Sequence, residues 1–139
     1  MQTLFRNYTK IAGITDDYFK VRSFLLNLGY SEFVYARWDW MATHGYLDKT
    51  AVGKIGLWEA EDEIVGVATF DTRLGIGYCL THPDYRELKE EMLKYAEDHL
   101  STPDGFEVVI PDTDLRFQEI AMRARSEEHT SELQSRQSI

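Results

Sequence analysis

Cys79, His82, Glu59 and Asp71 are the side chains whose types and positions could do chemistry in this sequence. Cys79 is the sole cysteine and stands between Tyr78 and Leu80, where a thiol is either a nucleophile or, mid-strand, a small buried apolar group. His82 precedes Pro83 at the end of the same run, so its ring could move a proton there or cap the turn. Glu59 and Asp71 fall at the ends of two hairpin strands, where a carboxylate could serve as a general base or could be an ordinary exposed acid. His44 sits at an expected helix end and suits the dipole there. Trp38, Trp40, Tyr46 and Trp58 could wall a substrate pocket or fill a core. No zinc-like Cys/His spacing, no Ser-His-Asp set and no P-loop is present, so no metal site is expected.

These residues are positioned by the stretch Ile64 to Leu100, which predicts strand, hairpin, strand, tight turn and helix. Ile64, Val65, Val67, Ala68 and Phe70 make a β-branched and aromatic run, and Ile76, Tyr78 and Leu80 alternate at period two. From Leu88 the period becomes four. Leu88, Met92, Ala96 and Leu100, with Leu93 and Tyr95 beside them, form one apolar stripe, and Glu87, Lys89, Glu90, Glu91, Lys94 and Glu97 are expected outside it. A strand that feeds a turn and then a helix leaves amides free at the helix start, a usual place to hold a phosphate.

Upstream, Leu4 to Tyr8 predicts a weak strand. Thr15, Asp16 and Asp17 cap a helix that ends before Gly29 and buries Tyr18, Val21, Phe24, Leu25 and Leu28. A second helix is expected from Glu32 to His44, closed by Gly45, with Phe33, Arg37, Trp38 and Met41 on one face and Tyr35 and Trp40 on another. That pattern places it deep in the core or along a cavity. Ile55 to Ala60 pairs with Ile64 to Asp71 across the acidic turn Glu61-Asp62-Glu63. Downstream, Ser101 to Gly105 breaks the long helix, Phe106 to Ile110 predicts a strand, and Asp114 to Ala124 a last helix with Leu115, Ile120 and Ala121 inward.

With 43% hydrophobic and 13% aromatic residues, the chain can bury the core of one domain. A net charge of -9 and a pI near 4.8 argue against a nucleic-acid partner and suit a cationic substrate. A lone cysteine permits no internal disulfide, and no apolar run is long enough to cross a membrane, so a cytoplasmic location without a membrane partner is expected.

The end of the chain differs from the rest. Residues 125–135, RSEEHTSELQS, hold one apolar side chain, Leu133, and resemble the translation of a sequencing-library adapter. Residues 1–124 are therefore expected to be the domain, and 125–139 a disordered, non-native tail. The charge stays acidic without it, because Arg125 and Arg136 face Glu127, Glu128 and Glu132.

The order of elements, over roughly Leu4 to Ala124, resembles the acyl-CoA-dependent N-acetyltransferases of the GNAT superfamily. The resemblance is carried by Tyr78-Cys79-Leu80-Thr81-His82-Pro83-Asp84-Tyr85-Arg86 and by Val108-Val109-Ile110 followed by Asp112 and a helix. It implies an α/β fold: a mixed sheet, mostly antiparallel with one splayed parallel pair, flanked by helices, its last two strands missing. It implies acetyl-CoA as cofactor and a small-molecule amine as substrate. Tyr78, Cys79 and Leu80 would lie along the pantetheine arm, and Arg86, Leu88 and Lys89 under the diphosphate, in a loop Arg86 to Glu91.

Two departures from the family pattern are plain. Glu87, Lys89 and Glu91 stand where the family loop has glycines, and two carboxylates there repel a diphosphate by about 1 to 4 kcal/mol per close charge pair. Ala121 stands where many members carry a proton-donating tyrosine. Three readings follow. The chain is a GNAT-type N-acetyltransferase domain, or a degenerate GNAT domain supporting a second, competent acetyltransferase domain in the same native chain, or an unrelated α/β small-molecule binding module. In every case the catalytic residues stay open, with Glu59, Asp71 and His82 as candidates.

Overall fold

Four antiparallel strands precede the helix that crosses to a parallel neighbour in the computed structural model. It covers residues 3–28, 33, 35–45, 47–127 and 133–138, with side chains described through Ala124. The elements are β1 (Leu4–Asn7), α1 (Asp16–Leu28), α2 (Tyr35–Thr43), β2 (Gly56–Ala60), β3 (Glu63–Asp71), β4 (Arg73–Thr81), α3 (Lys89–His99), β5 (Phe106–Pro111) and α4 (Leu115–Glu127). Short 3-10 segments occupy Val52–Lys54 and Pro83–Leu88. The five strands form one mixed sheet in the order β1-β2-β3-β4-β5, antiparallel except for the parallel pair β4 and β5. This is the α/β architecture expected.

Local sequence explains most element ends. The Thr15 hydroxyl accepts from the Tyr18 amide at 3.2 Å, capping α1. Glu61 and Asp62, at φ 53 and 68, make the two-residue β2–β3 turn, the left-handed geometry that matches strand twist. Gly105, at φ 125, closes a tight turn bridged to Thr102 ahead of β5.

The sheet is covered on both faces. Gly56, Trp58, Gly66, Ala68, Phe70 and Cys79 share one face, against which α3 lays Met92, Leu93, Tyr95 and Ala96. The alternate set, Leu57, Val67 and Leu80, faces α1 and α2, which bring Val21, Leu25, Trp38 and Met41. Full burial of each such aliphatic side chain contributes about 1.5 to 3 kcal/mol. Among the described residues no helix is long and apolar enough to cross a membrane.

Several expectations need correction. α2 begins at Tyr35 rather than Glu32, and residues 32 and 34 lie outside the described residues. Its second apolar face is at the surface: Tyr35 and Trp40 are each 39% exposed, covered in part by Arg22 and Arg37 over their rings. The tryptophans do not form one cluster. Trp38 packs with Tyr8 and Tyr18 on the α1 side, and Trp58 with Phe5 and Tyr95 on the α3 side; Tyr46 lies outside the described residues. In α4 the inward residues are Phe117, Ile120 and Ala121, whereas Leu115 is 70% exposed, because it lies off the i, i+3, i+4 stripe that Phe117 starts. Of the segment 125–139, α4 takes in residues to Glu127, and the run Leu133–Ser138 lies parallel to β5 as β6, joined by backbone pairing.

Gly77 tests the packing of the parallel pair. A Cβ there would stand 2.6 Å from the buried Phe106 ring. Gly77→Ala is expected to lower stability by about 1 to 3 kcal/mol in urea denaturation, and Phe106→Leu in the same chain is expected to recover part of that loss. An unchanged midpoint for Gly77→Ala would show that the ring is not held across β4.

Candidate functional site

β4 pairs with β3 over Gly77–Thr81 and again at Arg73, with a bulge between. With β5 it pairs only over Ile76–Tyr78, opposite Glu107–Val109. Beyond Tyr78 and Val109 the register of the parallel pair ends, while β4 continues to Thr81. In sheets with parallel strands, ligand crevices lie at the carboxyl ends where neighbours diverge. The fork therefore marks the candidate site.

The turn that leaves β4 is built by its own residues. The His82 amide donates to the Val65 carbonyl at 2.8 Å, and the His82 ring accepts from the Asp84 amide through Nδ1 at 3.1 Å. Pro83 then opens the 3-10 segment. His82 is thus a capping residue, with one ring nitrogen already engaged. The expected loop Arg86 to Glu91 is instead wound, as 3-10 helix to Leu88 and as α3 from Lys89. Helical winding replaces an open loop because every position carries a side chain and none is glycine. Arg86, Glu87 and Glu90 point to solvent, Leu88 is buried, and Glu91 accepts from the Trp58 indole at 2.5 Å.

Lys89 corrects the expectation of an outward charge. It is only 8% exposed, its ammonium forms an ion pair with Asp114, and it lies 4.7 Å from the centre of the Phe117 ring. Asp114 holds this position because its other oxygen caps α4, accepting from the Phe117 amide at 3.1 Å. The pair therefore ties the start of α3 to the start of α4 beside the fork.

The remaining candidates separate. Cys79 is fully buried, and burial pushes its thiol up to about 12, with the Lys89 charge opposing weakly. It is a neutral structural thiol. Tyr78 points to the other face and packs on Phe33, ring centres 4.8 Å apart, and Leu80 is buried. Glu59 accepts from Arg6 at 2.9 Å, and Asp71 from Arg37 at 2.8 Å, so neither is an unengaged base. His44 stacks on Trp40 at 4.1 Å. Ala121 is buried and offers no proton.

The structure thus brings Cys79 and Lys89 towards the fork and adds Asp114 and Phe117. Asp114 at the head of an expected helix signals a cap, but its charge partner is 25 residues away and has no local signature. A cleft of about 450 Å³ lined by Asp71, Arg73, Ile76, Thr102, Phe106 and Glu107 lies at the opposite, amino-terminal end of the parallel pair. That end is not where diverging parallel strands offer their amides and helix starts. No protein-family model and no curated protein matches this sequence.

Two measurements check the electrostatics. Cys79 is expected to resist a thiol reagent at pH 8 in the native chain and to react fully in guanidinium; rapid native labelling would contradict its burial. Arg6 hydrogen-bonds both Asp17 oxygens and holds that carboxyl below its ordinary value, with the Thr9 amide adding to it. A depressed carboxyl stabilises the fold above its unfolded value, about 3.9, and this is lost as pH falls through the folded value. Arg6→Met is therefore expected to flatten the acid limb of a stability-against-pH curve below about pH 4, and an identical limb would refute the pairing.

Proposed function

We propose that this chain is a GNAT-type N-acetyltransferase domain, whose family chemistry moves an acetyl group from acetyl-CoA to a small-molecule amine. The observation that carries the proposal is the divergence of β4 from β5 after only three paired residues, with a helix leaving the carboxyl end of each strand. An amide-bearing cofactor arm would run along β4 beyond its last pairing with β5, and Arg86, with Lys89 already paired to Asp114, lies near the helix starts. Bound acetyl-CoA would supply an activated acyl thioester, which an amine attacks directly. Cys79, neutral and buried, does not intercept the acyl group. Glu59, Asp71 and His82 are all engaged in the described conformation, so the base for the incoming ammonium must be exposed by substrate binding or come from outside this group.

A second reading has specific support. The helical Arg86 to Glu91, the Lys89–Asp114 pair and Ala121 favour a GNAT domain that does no chemistry itself and supports a second acetyltransferase domain in the same native chain. An acidic exterior at Glu87 and Glu90 disfavours a diphosphate on that surface.

Isothermal titration of acetyl-CoA into the chain, followed by detection of free thiol with a panel of small amines, separates the readings. Saturable one-to-one binding with amine-dependent thiol release is expected from an acetyltransferase. Binding without release supports the supporting domain, and no saturable binding overturns the cofactor assignment altogether.

A further inference from the structure

The cleft at the amino-terminal end of the parallel pair lies apart from the fork, and an irregularity in β4 creates it. β3 pairs with β4 at Phe70–Gly77 and next at Asp71–Arg73, so Leu74, Gly75 and Ile76 form a bulge that the register skips. Such bulges bend a strand, re-aim its side chains and recur beside binding sites. Gly75, at φ 113, takes a conformation that favours glycine, and its amide donates to the Leu100 carbonyl at 2.9 Å. That bond ties the bulge to the end of α3. The turn that follows α3 forms the facing wall, closed by paired backbone hydrogen bonds between Thr102 and Gly105 of 3.0 and 2.9 Å. On a third side the Asp48 amide holds the β3–β4 turn through the Thr72 carbonyl at 2.7 Å. The walls are thus fixed by the backbone itself, around a space of about 450 Å³. That is the size of a small-molecule site.

The lining has two characters. Leu74, Ile76 and Phe106 supply apolar surface, and Asp71, Asp104 and Glu107 set three carboxylates against the guanidinium of Arg73. Asp71 is already paired with Arg37 of α2, so Asp104 and Glu107 set the sign of the cleft. A concave wall of one sign focuses its field on the space it encloses. Among the described residues no three acid, His or Cys side chains converge closely enough to hold a metal ion. The spread of charge over an apolar floor fits an organic cation instead. We propose that this cleft binds a small primary ammonium on a short apolar body, the ammonium directed at Asp104 and Glu107 and the body laid against Leu74, Ile76 and Phe106. The site stands on the cleft alone and does not depend on acyl-CoA binding at the fork.

The test titrates phenethylamine into the wild-type chain by calorimetry, with phenethyl alcohol and phenylacetate as neutral and anionic analogues of the same ring. Saturable binding of the amine, weakening as salt is raised and absent for both analogues, is expected. Asp104→Asn and Glu107→Gln each remove one negative charge and are each expected to weaken it by about threefold, whereas Arg73→Gln is expected to strengthen it by about as much. Asp104 and Arg73 are exposed, so their variants keep the fold and carry the comparison even where Glu107→Gln does not fold. Equal binding of the alcohol, or preference for phenylacetate, overturns the proposal. Amine binding that none of the substitutions changes also overturns it, because the cation then sits elsewhere on the acidic surface. So does the absence of saturable amine binding.

Discussion

β4 has to satisfy two neighbours that make different demands, and the geometry of the site follows from that constraint. Its antiparallel partner β3 holds it over Gly77–Thr81 and at Arg73, and its parallel partner β5 over Ile76 to Tyr78. The pairing with β5 stops at Tyr78, and β4 continues to Thr81 with that side as a strand edge. Buried backbone groups without partners are costly, so such an edge is occupied by side chains, water or ligand. The helices that leave β4 and β5 start at this same end, which brings Lys89 and Asp114 to one place although they are far apart in sequence.

Charge is organised as sparingly as the strand pairing. The chain carries -9 overall, yet several of its carboxylates are set against an arginine or lysine: Asp17 and Glu59 against Arg6, Asp39 against Arg22, Asp71 against Arg37, Asp114 against Lys89. Most of these link different elements. Arg6 ties β1 to both α1 and β2, and Arg37 ties α2 to the end of β3. Half-exposed pairs of this kind contribute modestly to stability, but they fix which helix sits against which strand. They also explain why acidic residues that look available as bases are not.

What the sequence made legible and what it hid divide along range. The stripe Leu88, Met92, Leu93, Ala96 and Leu100 is buried as its period requires, as are Tyr18, Val21, Phe24 and Leu25. Alternation in β3 and β4 and the turn chemistry around them place the hairpins within a residue or two. These are signals contained in one element. Lys89 read as a surface charge because its neighbours Glu87, Glu90 and Glu91 are charged too; only the approach of α4 turns it inward. Leu115 read as core because leucine usually is, but it is off the stripe of Phe117, Ile120 and Ala121, and Phe117 takes the buried place. Glu59 and Asp71 could not be told from exposed acids, since Arg6 lies 53 residues from one and Arg37 lies 34 from the other. Trp40 failed for the converse reason: an aromatic ring can remain at the surface when a guanidinium covers its face.

Whether an anion can be held at the fork depends on which groups face it. A glycine-lined loop recognises phosphate with backbone amides, whose dipoles are fixed by the fold and need no counter-charge. A lysine recognises it with a full charge, which must be balanced when the anion is absent. Having side chains at Glu87, Lys89 and Glu91 winds this segment into helix, turning its amides into the helix rather than towards a ligand. The buried cation beside the fork is Lys89, and it is already neutralised by Asp114. Helical winding and the internal carboxylate act together: the first turns the backbone amides along the helix, and the second makes a charge tolerable in a buried place. A bare ammonium there would destabilise the fold, so the pair is part of what holds the start of α3 against the start of α4.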